Sequence, residues 1–229
     1  MKKTILILLA ALAFAVRGSA QQGIWTVSLG YAPMGNSTIH IRCNDEDYVS
    51  KQYHLHYQKQ KGYYLTLQLP AMIGFNQIGA VDFSYSKYQL GKVEKEDDAK
   101  LHLAPSKFED ISVYSFYIMS SLTLWSSNTR RFNLPMYFGV GADYVSGAPF
   151  KHLFPAVANK TRLTIWLANR FTMYAGVNAK LGMSLGKTEL SNESGHSLTF
   201  FKLDLSPEIG LQIDLSFGKS EDEENQYDE

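Results

Sequence analysis

One stretch near the end of the chain, residues 200–217, constrains the fold most because it alternates apolar and polar side chains without a break. A period of two indicates a β-strand with one apolar and one polar face. A strand of a soluble protein usually has about five or six residues, whereas a tilted strand that crosses a bilayer needs about 9 to 11. The length therefore favours a strand of a membrane β-barrel. The apolar positions are Leu203, Leu205, Ile209, Leu211, Ile213, Leu215 and Phe217, and the polar ones are Lys202, Asp204, Ser206, Glu208, Gln212, Asp214 and Ser216.

The first residues have the pattern of a secretory signal peptide. Lys2 and Lys3 precede an apolar run, and small residues at 18–20 follow it. We expect residues 1–20 to be removed, and the run is too short for a membrane helix. No later segment has eighteen consecutive apolar residues, which excludes a helical membrane protein.

Charge and cysteine content exclude further classes. The formal net charge is +0, so no strong field for nucleic acid is expected. The lone Cys43 allows no intramolecular disulfide. Fourteen Tyr and thirteen Phe suit a barrel with interfacial aromatic side chains, although soluble β-proteins are also rich in Tyr.

Residues 24–70 are predicted to form one long hairpin, in which the apolar side chains of both arms have odd residue numbers. Each arm would be roughly 65 Å long, against an apolar band of about 25 Å, so the tip should project beyond the membrane. Further strands are predicted by alternation at residues 78–86, 111–125, 132–144, 162–168, 171–185 and 200–217.

The lengths of the connections agree with a membrane barrel. Short connections are predicted at residues 71–77, 126–131 and 169–170, and long or charged ones at 44–47, 92–107, 147–161 and 186–197. The predicted fold class is therefore all-β, an eight-stranded antiparallel transmembrane β-barrel with an extended first hairpin. It would occupy residues 21–217, and residues 218–229 would be a disordered, acidic periplasmic tail.

Three segments carry a family resemblance: L-P-M-Y-F-G-V-G-A-D-Y at 134–144, M-Y-A-G-V-N-A-K-L-G at 173–182 and P-E-I-G-L-Q-I-D-L-S-F at 207–217. Together with the signal peptide, they resemble the small outer-membrane barrels of the OmpA and OmpX type, the "outer membrane protein β-barrel domain" family. The resemblance implies a location in the outer membrane of a Gram-negative bacterium and contact with outer-membrane lipid. It also implies that the barrel assembly machinery recognises Phe217, although the acidic tail follows where such barrels usually end.

The polar face of the strands predicts a filled lumen, since an eight-stranded barrel is only wide enough for side chains. Buried charges need partners, so we expect a paired network that plugs the barrel, with Arg162 close to its rim. The predicted network comprises Asp82, Asp143, Lys180, Lys202, Asp204, Glu208 and Asp214.

The projecting hairpin, residues 38–58, is the predicted site of interaction with a protein partner. Odd-numbered apolar residues would form an exposed face there, which water does not favour. The predicted partner-binding residues are Ile39, Ile41, Tyr53, Leu55 and Tyr57.

Two chemical alternatives have weaker support. His54 and His56, with His40 opposite, could bind a metal ion but suit a solvated strand face better. The architecture also resembles that of the lipid A deacylases, which use His, Ser and Glu. In this chain His196 and Ser197 are adjacent, so their side chains would point to opposite faces of a strand and could not act together on a substrate. We therefore expect no cofactor and no catalysis. The expected role is structural or surface interaction, with a narrow channel, a secretion-system barrel or a lipid-modifying enzyme as alternatives.

Overall fold

The computed structural model describes residues 24–45, 48–68, 79–95, 108–129, 131–147, 150–168, 170–184 and 197–216. The predicted signal peptide, Phe217 and the acidic tail lie outside these ranges. No helix in these ranges is long and apolar enough to cross a membrane.

The described chain forms nine antiparallel strands. They are β1 (Ile24–Ala32), β2 (Asn36–Asp45), β3 (Tyr48–Gln68), β4 (Gly79–Lys95), β5 (Ile111–Ser126), β6 (Phe132–Gly147), β7 (Phe150–Ala168), β8 (Phe171–Met183) and β9 (Ser197–Ser216). Most exceed the length that a soluble sheet needs.

The strands close into a ring of eight, because β1 and β2 occupy one position in it. Both pair with β3 on one side and with β9 on the other. Tyr31 of β1, for example, lies opposite Tyr63 of β3 and Ile209 of β9. The predicted eight-stranded antiparallel barrel is confirmed: the last strand, β9, pairs with both β1 and β8, which closes the ring.

We call the end of the barrel where β2 and β3 approach each other the hairpin end, and the end with Ile24 and Ser216 the terminal end. The connections at residues 127–131 and 169–170 lie at the terminal end and are short, as predicted. The predicted long connection at 147–161 is wrong, since β7 already begins at Phe150. Its alternation is obscured because the inward positions mix Phe154, Ala156 and Lys160.

The break between β1 and β2 changes which face of the strand points inward. Thr26 and Ser28 of β1 are buried, whereas Ile39 and Ile41 of β2 are buried, so the inward side chains change from even to odd numbers. Gly35 has a φ of 151°, and its carbonyl oxygen accepts a hydrogen bond from the backbone N–H of Lys59 at 2.8 Å. A Cβ at Gly35 would lie 2.6 Å from Cβ of Ser206, so glycine suits this conformation and this close approach.

Strand β3 makes the same change with β-bulges. Gln60 is an extra residue between the pairs Lys59 with Tyr88 and Lys61 with Lys87, and Gly91 is an extra residue on β4. One inserted residue moves all later side chains to the other face. Tyr53, Leu55 and the other odd-numbered residues up to Lys59 are therefore buried, while Tyr64 and Thr66 take the inward positions below.

Around the middle of the barrel, the outer surface is a belt of exposed apolar side chains. Odd positions of β9 and β8 contribute to it, as do even positions of β5 and β6. The predicted outward side chains Leu203, Leu205, Ile209 and Leu211 are all in this belt. Such a surface is stable next to lipid and costly next to water.

Candidate functional site in the barrel lumen

In the described ranges, nine charged side chains are buried in the lumen, and we call them the charge network. They are Lys59, Asp82, Asp143, Lys160, Arg162, Lys180, Lys202, Asp204 and Glu208. All point inward because they occupy alternate positions of long strands. Six of the seven predicted lumen residues belong to this set. The seventh, Asp214, lies towards the terminal end, is only partly buried, and accepts a hydrogen bond from Thr26 at 2.9 Å.

The part of the network nearest the terminal end is built around Arg162. Its Nε lies 2.6 Å from Oε1 of Glu208, and its Nη2 donates to Thr66 at 3.1 Å. The guanidinium carbon also lies 4.2 Å from the ring centroid of Tyr174. Arg162 is fully buried, so the expectation that it lies near the rim is wrong: β7 is long enough to place it deep in the lumen.

Lys160 lies between two carboxylates of the network. Its ammonium group lies 2.6 Å from Oδ1 of Asp82 and 3.7 Å from Oε2 of Glu208. Thr66 donates a second hydrogen bond to Asp82 at 2.6 Å. Asp82 and Glu208 thus share Lys160, and Glu208 also pairs with Arg162. Both cations belong to β7.

Nearer the hairpin end, Asp143 and Asp204 are surrounded by three lysines. Lys202 lies 2.7 Å from Asp143 and 3.6 Å from Asp204, and Lys180 lies 3.9 Å from Asp143. Lys59 approaches Asp204 to 3.6 Å. Buried carboxylates and ammonium groups compensate one another here, which is the arrangement that burial of charge demands.

Neutral polar groups satisfy the remaining hydrogen bonds of these lysines. Lys180 donates to Ser84 at 2.9 Å and to Ser115 at 2.8 Å. Lys59 donates to Ser206 at 2.8 Å and to the hydroxyl of Tyr64 at 2.9 Å.

Tyrosine rings fill the space between the charged groups. Tyr117 donates a hydrogen bond to Asp143 at 2.8 Å, and Tyr88 donates one to Asp204. Lys160 lies 4.5 Å from the ring centroid of Tyr64. These contacts combine ion pairing with cation–π attraction.

Above the charge network, towards the hairpin end, the lumen becomes apolar. We call this cluster the apolar cap; it contains Ile39, Ile41, Tyr53, Leu55, Tyr57, Tyr88, Phe108, Ile111, Val113, Val145, Phe154 and Phe200. All are buried, and the rings of Phe154 and Phe200 are 6.4 Å apart. Two layers of buried side chains with different chemistry therefore lie in the lumen.

The cap corrects the prediction of an exposed apolar face on the hairpin. Ile39, Ile41, Tyr53, Leu55 and Tyr57 are all no more than 1% exposed. The physical reason is the change of face at residues 33–35 and at the Gln60 bulge, which the simple odd numbering does not reveal. Any partner of the hairpin therefore meets the polar outer face and not these five side chains.

The outer face of the hairpin carries its polar side chains, which in the sequence pattern lie opposite the predicted apolar face. It includes Arg42, His54, His56, Gln58 and Gln60. His56 lies 3.4 Å from Glu94, and Lys92 lies 2.5 Å from the same carboxylate. The hydrogen bond from Lys92, followed by that from His56, lowers the pKa of Glu94.

The histidines do not form a metal centre in the described ranges, where no group of three or more potential ligands is close enough to hold an ion. His40 and His54 instead contact each other edge to face, with ring centroids 4.5 Å apart.

The Ser and Glu residues considered for a lipid A deacylase site lie far apart. Ser197 lies at the start of β9 and Glu208 in its middle, roughly 36 Å apart along an extended strand. His196 lies outside the described residues. Glu208 is engaged by Arg162 and cannot serve Ser197.

Lys59 and Lys160 are members of the network that the sequence interpretation did not select. Lys160 shares even numbering with Arg162 and Thr164, so extending the predicted strand by two residues would have found it. Lys59 has no such signal, because its inward position depends on the adjacent bulge.

No protein-family model matches this sequence. No curated protein matches it either. Among solved structures, the outer membrane protein OprG from Pseudomonas aeruginosa is similar, with a TM-score of 0.53 and 11% identity over 86% of this chain and 98% of OprG. AlkL, solved in lipid bilayers, has a TM-score of 0.47 and 12% identity over 87% of this chain and 93% of AlkL. Neisserial surface protein A has a TM-score of 0.42 and 9% identity over 85% of this chain and 100% of that protein. The similarity to OprG is one of fold, and it agrees with the closed eight-position ring: this chain has the architecture of the small outer-membrane β-barrels.

Proposed function

We propose that the protein is an outer-membrane β-barrel with a plugged lumen and a structural or surface-interaction role. The observation that carries this proposal is the burial of the charge network and of the apolar cap inside the barrel. Four buried carboxylates lie among five buried cations, and twelve buried side chains close the space above them. A solute would have to displace both layers.

The membrane location is supported by the outer surface. The belt of apolar side chains would be unfavourable in water, and the predicted signal peptide would direct export. The polar outer faces of the long strands at the hairpin end support a position of that end outside the bilayer, where it would be open to a surface interaction.

The surface role is assigned to the hairpin, residues 38–58, through its polar outer face. A protein partner would meet imidazole, guanidinium and amide groups there, such as His56, Arg42 and Gln58. The buried side chains of the same hairpin would hold this face in place by packing into the apolar cap.

No catalytic activity is part of the proposal, which the separation of Ser197 from Glu208 supports.

The plugged lumen is tested by reconstitution into planar bilayers. The folded barrel should be identified first by heat-modifiable migration in gels, since a barrel stays folded in detergent until it is boiled. We expect no discrete conductance steps, whereas a porin in the same bilayer should conduct. Steps that disappear after the sample is boiled would support a narrow channel and overturn the proposal.

The surface role is tested separately with a variant that keeps the cap intact. Arg42→Ala/His56→Ala/Gln58→Ala changes only outward side chains and should reduce cross-linking to a protein partner at the cell surface. Deletion of residues 38–58 is a poor test because it removes five side chains of the cap. Unchanged cross-linking in the triple variant would argue against this face.

A further inference from the structure

Two lysines lie directly opposite each other on the outer face of the barrel. Lys61 of β3 pairs with Lys87 of β4, next to the Gln60 bulge. Lys61 is exposed and Lys87 is half-buried. Neither ammonium group forms an ion pair with a residue of the described ranges. Like charges directly opposite on neighbouring strands repel each other, so an anion bound between them would stabilise the pair.

The lysine pair lies where the outer surface changes from apolar to polar. Two residues towards the terminal end, Tyr63 and Tyr85 occupy the next outward positions and pair with each other. Towards the hairpin end, Gln60 and Gln89 share a hydrogen bond of 3.1 Å. Tyrosine prefers the interface of a bilayer, so Lys61 and Lys87 are at the depth of lipid headgroups.

A tyrosine row supports this depth. Tyr31, Tyr63, Tyr85, Tyr114 and Tyr144 follow one another across five strands, each paired with the next. Neighbouring rings are in contact, with centroids 5.1 Å apart for Tyr85 and Tyr114. The lysine pair directly adjoins this row on the hairpin side.

A polar pocket of about 460 Å³ lies above the lysine pair on the same strands. Its walls include Asn36, Thr38, His56, Gln58 and Lys92. Amide, hydroxyl, imidazole and ammonium groups in one concave site are suited to the hydroxyls of a sugar. Gln58 is three residues from Lys61, roughly 10 Å along the strand, so one extended headgroup could reach both.

We propose that this outer face of β2, β3 and β4 binds the headgroup of a phosphorylated glycolipid of the surrounding leaflet. A phosphate would lie between Lys61 and Lys87, the attached sugar would occupy the pocket, and the acyl chains would cover the apolar belt below. The inference rests on the proposed membrane location, because the ligand is a membrane lipid.

The test uses the full-length protein in nanodiscs of zwitterionic phospholipid that contain a small fraction of bis-phosphorylated lipid A. Bound lipid A is counted by native mass spectrometry. Lys61→Ala/Lys87→Ala should weaken retention about 25-fold, since each lysine near an anionic surface contributes roughly fivefold. Gln58→Ala/Lys92→Ala should also weaken it, and dephosphorylated lipid A should bind the wild type as poorly as lipid A binds the lysine variant.

The matched control is Arg131→Ala/Arg170→Ala, which removes the same charge from exposed positions at the terminal end and should retain lipid A. Equal retention by the lysine variant would overturn the proposal. So would equal binding of phosphatidylglycerol, which lacks the sugar, or displacement of lipid A by inorganic phosphate. Incorporation into nanodiscs is scored on the same samples: failure to incorporate refutes the membrane location, whereas incorporation without lipid A refutes only the glycolipid site.

Discussion

Arg162 and Glu208 form an ion pair inside the barrel, with Nε 2.6 Å from Oε1 and both side chains fully buried. They belong to β7 and β9, which are separated in the sheet by β8. The bond from Arg162 to Thr66 adds β3 on the far side of the lumen. The pair therefore connects strands that the backbone ladder does not join directly.

Removing one partner of this pair should be costly. Arg162→Met leaves the carboxylate of Glu208 buried with only Lys160 at 3.7 Å, so we expect a loss of about 3–5 kcal/mol in the free energy of unfolding. Denaturant titration of the barrel in detergent, followed by gel migration, measures this. The double variant Arg162→Met/Glu208→Gln should recover much of the loss. If the single and double variants were equally destabilised, lost packing rather than the unpaired charge would be the cause.

The orientation of the hairpin can be tested by labelling of single cysteines. In a Cys43→Ser background, His56→Cys should react with a membrane-impermeant maleimide on intact cells, because His56 lies on the outer face. Leu55→Cys should react only after unfolding, because Leu55 is buried in the cap. Faster labelling at position 55 than at 56 would contradict the change of face at the Gln60 bulge.

The sequence predicted the fold where alternation is unbroken. In β9 every even position from Lys202 to Glu208 points inward and every odd position outward, as the pattern indicated. The same holds for β8, because a strand without bulges keeps its side chains on fixed faces.

The prediction failed where one extra residue changes the face. Gln60 is a polar residue among polar residues, and nothing local identifies it as the inserted residue of a bulge. Its effect appears only when the register with β4 is known. Leu55 was therefore assigned to the outside, and Lys59 was missed although it contacts Asp204.

Glycines on the lumen wall provide space for tyrosine rings, and this can be tested at Gly210. A Cβ there would clash with the backbone carbonyl oxygen of Leu29 and with Cζ of Tyr174 at 2.5 Å, and the Tyr174 ring also covers Gly30. Gly210→Ala should displace the ring from Arg162 and lower the free energy of unfolding by about 1–3 kcal/mol. Gly79→Ala is the control, since its Cβ would meet nothing within 4 Å. Similar unfolding of both variants would mean that both the Tyr174 ring and the backbone at Leu29 can shift at little cost.

The apolar cap and the charge network should contribute differently to stability and to closure of the lumen. Phe154 packs against Phe200 in the cap, so Phe154→Ala should cost about 3–5 kcal/mol in the free energy of unfolding. Leu153→Ala, its outward-facing neighbour, should cost far less because that side chain is 55% exposed. Denaturant titration in detergent compares the two.

Conductance measurements on the same Phe154→Ala variant then show which of the two layers closes the lumen. We expect it to remain silent in planar bilayers, because the charge network below the cap still fills the lumen with paired side chains at hydrogen-bonding distances. Lys202→Ala should also show no conductance, because its apolar cap is intact. Only the double variant Phe154→Ala/Lys202→Ala has a cavity in each of the two layers. Conductance in Phe154→Ala alone would mean that the apolar cap is the seal and that the network beneath it admits water and ions.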